Sequence, residues 1–118
     1  MQYLLMIYSS EAEEAAALAR NGGDESALMA EYGAFTQGII QSGAFKNANR
    51  LRPTSEATTV RVREGKTLAT DGPFAETREA LGGYYLVEAA NLDDAIAIAA
   101  RIPTARSGSI EVRPVYAS

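Results

Sequence analysis

The hydrophobic positions of the chain fall into a few short runs of distinct period. Tyr3-Leu4-Leu5-Met6-Ile7-Tyr8 is apolar at both parities and too short for a helix, so it predicts a strand buried on both faces. Tyr84–Glu88 predicts a second strand of the same kind. Between them, Thr58, Val60 and Val62 alternate with Thr59, Arg61 and Arg63, the period of a half-exposed strand with its arginines on one face. Glu64-Gly65-Lys66 reads as a hairpin turn and Thr67–Thr70 as its return strand. Residues 44–52 fit a short strand, and Ile110, Val112 and Val115, interrupted by Pro114, fit a last strand at a sheet edge.

Helical runs separate these strands. Ser9 or Ser10 can cap a first, alanine-rich helix whose opening turn holds Glu11, Glu13 and Glu14, and Asn21-Gly22-Gly23 stops it. A second helix starts near Asp24 or Ser26. Leu28, Met29, Tyr32, Phe35, Ile39 and Ile40 form its apolar stripe, with Phe35 expected in the core. Gly33 and Gly38 cost this helix about 1 kcal/mol each relative to alanine, which suggests close packing at both. Asn91 caps a third helix that Pro103 ends. The order β, αα, β-hairpin, β, α, β compresses to βαββαβ, an α+β protein of ferredoxin-like pattern with an antiparallel sheet. Helices cover one face of such a sheet, so the apolar residues on the other face predict a homodimer.

Composition narrows the chemistry. The chain has 118 residues, 47% apolar and 22% charged, which suits one globular domain over 1–118. It has neither cysteine nor histidine, which removes thiolate chemistry, disulfides, the commonest zinc ligands and the commonest general base. Net charge is −4, and six of the 15 acids precede residue 46 against Arg20 alone. An acidic chain argues against nucleic acid as a partner. No apolar run could span a bilayer and no basic leader precedes one, so a cytoplasmic protein without membrane contact is expected.

Candidate chemistry concentrates in one loop, taken to run from Asp71 to Gly83. Asp71-Gly72-Pro73-Phe74 reads in two ways. It is a turn in which Pro73 holds Gly72 extended, Asp71 accepts backbone N–H groups and Phe74 plugs the core; or Asp71 borders a cleft as an acid/base or ligand anchor. Arg61 and Arg63 are either a solvated strand face, paired to Glu64 or Glu111, or a site for a carboxylate or phosphate. Glu76, Arg78 and Glu79 form a charge cluster; Glu76 could pair with Asp71 or share Mg²⁺ with it, though nothing in the spacing demands a metal or any other cofactor. Tyr8, Tyr84 and Tyr85 suit core or interface positions, with Tyr85 a candidate to line a cleft. Gly82-Gly83 reads as the bend into the following strand.

Asp71-Gly72-Pro73-Phe74-Ala75-Glu76-Thr77-Arg78-Glu79, followed by Leu81-Gly82-Gly83-Tyr84-Tyr85-Leu86-Val87-Glu88, closely resembles the DGPF branch of the YCII-related proteins. So do Tyr3–Tyr8, the Thr58–Lys66 hairpin and Ile110–Pro114. The resemblance implies a protomer of the dimeric α+β barrel kind. Many DGPF proteins are encoded beside sigma factors, which implies a role in bacterial stress or regulation, and one YCII-like relative is a dehydrochlorinase. A His-Asp pair proposed for one branch has no counterpart here. Together these readings lead to a homodimer that binds a small organic molecule near Asp71–Phe74, with Arg61, Arg63, Gly72, Pro73, Phe74, Glu76 and Tyr85 around it. A lyase that uses Asp71 and an interaction module for a sigma factor or other regulator are the alternatives.

Overall fold

The computed structural model of the protein describes residues 1–117. They form six strands and three helices: β1 (Gln2–Ser9), α1 (Glu11–Arg20), α2 (Ser26–Gln41), β2 (Phe45–Arg50), β3 (Thr58–Arg63), β4 (Lys66–Asp71), β5 (Ala80–Glu88), α3 (Leu92–Ala100) and β6 (Ser109–Pro114). Single 3-10 turns at Thr54–Glu56 and Pro103–Arg106 complete it. The result is a mixed α+β structure. Its main sheet has the order β2-β5-β1-β6, antiparallel throughout, while β3 and β4 pair only with each other. Pro114 lies on β6, an edge strand, where its missing N–H costs the ladder nothing.

The odd positions of β1 build the core. Tyr3, Leu5 and Ile7 are buried, as are Tyr85 and Val87 of β5, which pair with Leu5 and Tyr3. Phe35 and Ile39 of α2, Ala95 and Ala99 of α3, and Ile102 close over them. Leu5, Ile39, Ile102 and Val87 are fully enclosed, each worth about 1.5–3 kcal/mol of burial. The Phe35 ring meets Tyr85 edge-on, with centroids 5.1 Å apart, and the Arg101 guanidinium lies 5.9 Å from the centre of the Phe35 ring. The even positions Leu4 and Met6, with Tyr84 and Leu86 opposite them on β5, form the other sheet face and are half-buried.

Local chemistry explains the element ends. Ser10 takes the first cap, its hydroxyl accepting from the Glu13 N–H at 3.2 Å, and Asn91 caps α3 by accepting from Asp94 at 2.9 Å. Asp24 receives the Ser26 N–H at 2.9 Å just ahead of α2. Glu64 and Gly65 both have positive φ, +53° and +76°, as a two-residue hairpin turn requires.

Five sequence expectations are corrected. The loop is shorter than 71–83, because Asp71 still pairs with Thr58 and β5 already begins at Ala80. Gly82-Gly83 is therefore no bend. Gly83 sits inside β5, where a Cβ would come within 2.9 Å of the Asn49 carbonyl oxygen, so only glycine lets β2 approach this closely. Gly72 is not extended but has φ +98°, and Phe74 is 80% exposed rather than a core plug, since the β3–β4 hairpin projects from the body and carries the loop out with it. Finally, Gly33 and Gly38 pack against nothing: a Cβ at either would meet no atom within 4 Å.

Candidate functional site

The last inward position of β1 is polar. Tyr3, Leu5 and Ile7 are followed at the same parity by Ser9, which is buried. Because Ser10 caps α1, the Ser9 hydroxyl is left to donate to Oε1 of Glu14, one turn into that helix. Beyond them the floor of the sheet is bare, because β5 contributes Gly82 and Gly83 there. α2 crosses above with Leu28, Met29 and Tyr32. The space between is a cavity of about 240 Å³, lined by these residues with Ile7, Tyr84, Tyr85, Asn49, Arg50 and Thr104. A more open, polar trough of about 490 Å³ continues outward past Ser9, Glu14, Arg50 and Gly82 to Glu11, Arg52 and Glu56.

The polar groups of the cavity are positioned by pairs. The Tyr32 hydroxyl shares a hydrogen bond with Thr104 Oγ1, and the Tyr85 hydroxyl shares one with Thr36 Oγ1 at 2.7 Å. Both Arg50 terminal nitrogens face the Glu25 carboxylate at 3.4 Å. Glu14 itself stands at the mouth, with much of its surface accessible and its carboxyl end turned in to Ser9. Partial burial raises its pKa; Arg50 opposes that shift, while Glu11 and Glu25 add to it. Burial also raises the Tyr32 pKa, against the hydrogen bond from Thr104. Glu11 is held ionised, its pKa lowered by hydrogen bonds from the Thr54 hydroxyl and N–H.

Of the residues expected around a ligand from the sequence, Tyr85 alone lines this cavity. Asp71, Arg61, Arg63, Gly72, Pro73, Phe74 and Glu76 border neither the cavity nor the trough. They lie on the β3–β4 hairpin and the loop after it, where every side chain named is exposed except Gly72, which is half-buried. Thr59 donates to the Gly72 carbonyl at 2.8 Å and the Gly72 N–H donates to Ala57 at 2.7 Å, so the loop start is tied to its own hairpin. Among the described residues neither arginine is ion-paired; Arg63 donates to the Val62 carbonyl. The expected pairing to Glu64 or Glu111 is absent, and Glu111 meets Arg113 instead. Arg78 binds Glu13 of α1 at 2.5 Å, and Glu79 accepts from Ser109 at 2.9 Å.

Ser9, Glu14, Tyr32, Arg50 and Thr104 line the cavity without having been expected there from the sequence. Ser9 carried a usable signal, a hydroxyl at the inward parity of an otherwise apolar strand. Glu14 did not, because an acid in a first helical turn is the ordinary pattern. No helix of the described residues is long and apolar enough to cross a membrane.

Comparison with known proteins places the chain at the level of a family. An uncharacterized protein of Rhizobium meliloti (strain 1021) is 35% identical over 117 residues, covering 98% of this chain and 92% of the relative. The family model of the YCII-related domain matches residues 1–117, from β1 through the segment after β6, and the chain therefore belongs to the YCII-related domain family.

Proposed function

We propose that the protein is a homodimer that binds a small organic molecule in the cavity between α2 and the glycine floor of β5. The cavity carries this reading: an apolar wall of Ile7, Leu28, Met29, Tyr32 and Tyr85 with a few convergent polar groups is the usual make-up of a small-molecule site. Its volume suits a single ring, since a 150 Å³ apolar cavity already accepts benzene. The order β2-β5-β1-β6 supports reading the protomer as ferredoxin-like, with β3–β4 inserted between the second and third strands of the βαββαβ unit. Two such sheets, packed through the Leu4, Met6, Tyr84 and Leu86 face, would form the α+β barrel. The Asp71–Phe74 run supports the DGPF branch. In this reading Asp71, Arg61, Arg63 and Phe74 meet a ligand only through the second copy.

The test is occupancy. One-ring fragments of varied charge, titrated into ¹⁵N-labelled protein, should shift Tyr32, Gly82, Gly83 and Tyr85 amides together. Met29→Trp, which fills the cavity from a partly exposed helix position, should abolish those shifts while the protein stays folded. Fragments that perturb only the Asp71–Phe74 loop would overturn the location.

A further inference from the structure

We infer that the ligand of this cavity is a small organic cation, a one-ring compound bearing a protonated amine that is received by Glu14. The inference rests on the cavity being the binding site and names the chemical class it takes. Glu14 is the only carboxylate among the residues lining the cavity, and its Oε1 already accepts from Ser9, which leaves Oε2 for a further donor. The nearest internal cation makes no ion pair with Glu14: both Arg50 terminal nitrogens face Glu25 at 3.4 Å, and Arg50 acts on Glu14 only as a neighbouring charge. Among the residues lining cavity and trough, Glu11, Glu14 and Glu56 stand against Arg50 and Arg52, and Glu25 lies on Arg50 from outside the lining, which makes the rim net negative. Such a rim draws cations and repels carboxylates.

The wall behind Glu14 fits the rest of the molecule. Tyr32 and Tyr85 present aromatic surface and Met29 a polarisable thioether, partners for both a ring and the charge attached to it. Their hydroxyls are already engaged with Thr104 and Thr36, so charge recognition falls to Glu14. Partial burial at this position also makes an ionised Glu14 short of compensation, and an ammonium supplies it.

Three probes of one shape separate the possibilities: benzylamine, benzyl alcohol and benzoate, each titrated by NMR into the wild-type protein and Glu14→Gln at neutral pH. Benzylamine should bind about ten-fold tighter than benzyl alcohol, the gain expected when a hydrogen bond becomes charge-assisted, and benzoate weakest. Glu14→Gln should erase the amine's advantage, so that benzylamine and benzyl alcohol bind alike. Cavity binding of benzyl alcohol or benzoate equal to or tighter than that of benzylamine overturns the cation and leaves the cavity reading standing. An amine preference that survives Glu14→Gln overturns the role of Glu14. Absence of all three probes from the cavity overturns both.

Discussion

Glu14 shows how a residue that is ordinary in sequence becomes unusual in place. Its carboxyl is shifted upward by partial burial, and the charges that face it are Arg50 from β2, Glu25 from the start of α2, and Glu11 from its own helix. A raised carboxyl pKa means that the folded state holds the proton more tightly than the unfolded chain does. The contribution of Glu14 to stability is therefore fully present below its ordinary value of 4.5 and is lost as pH rises through the folded value. Glu14→Gln keeps an acceptor for the Ser9 hydroxyl and removes the partly desolvated charge. It should melt no lower than wild type at neutral pH, and its advantage should shrink on acidification; melting curves at two pH values check this. A marked destabilisation at neutral pH would mean that the carboxylate is a structural partner of Ser9.

At the scale of elements, two glycine pairs have opposite meanings that composition cannot distinguish. Gly33 and Gly38 interrupt α2 with open space around them, whereas Gly83 lies in β5 against the β2 backbone. Gly33→Ala should stabilise the protein by about 0.5–1 kcal/mol, as removing glycine from an open helix site does. Gly83→Ala should destabilise it, because its new methyl must push the Asn49 carbonyl away. Denaturant titration of both variants tests the contrast. Strands and helices were legible because their periods and caps are local: Tyr3–Tyr8, Ser10 and Asn91 sit where their patterns put them, and the Val60–Arg63 alternation marks a true strand although its valines are exposed rather than half-buried. The cavity was not legible, because it forms where β1, α1, α2, β2, β5 and the Pro103–Arg106 turn meet, and no stretch of sequence contains more than a few of its residues. The Asp71–Phe74 motif drew attention by its unusual composition, yet its position on a projecting hairpin depends on how β3–β4 joins the body.

The whole molecule is flatter and wider than its length requires. Its extents are 47 × 46 × 18 Å and its radius of gyration is 16.3 Å, against about 13.5 Å for a compact domain of this size. Two elements account for the spread. α1 has no buried residue, and the β3–β4 hairpin pairs only with itself, leaving Val60 and Val62 each 60% exposed. A lone two-stranded hairpin is marginal in water, so this one needs a surface to rest on. The sheet face of Leu4, Met6, Tyr84 and Leu86 has the same need, with the helices of the core on its other side. A second copy would cover these surfaces together in one two-fold assembly. Sedimentation at micromolar concentration should give a dimer, with an interface well above about 1,000 Å². Met6→Glu places a charge at the centre of the face and should yield monomers. Because Met6 points away from the Leu5 and Ile7 side of β1, those monomers should keep their secondary structure while the hairpin amides lose protection from hydrogen exchange. A monomeric wild-type protein at that concentration would overturn the assembly, and a protected hairpin in it would show that the hairpin is stable without a partner.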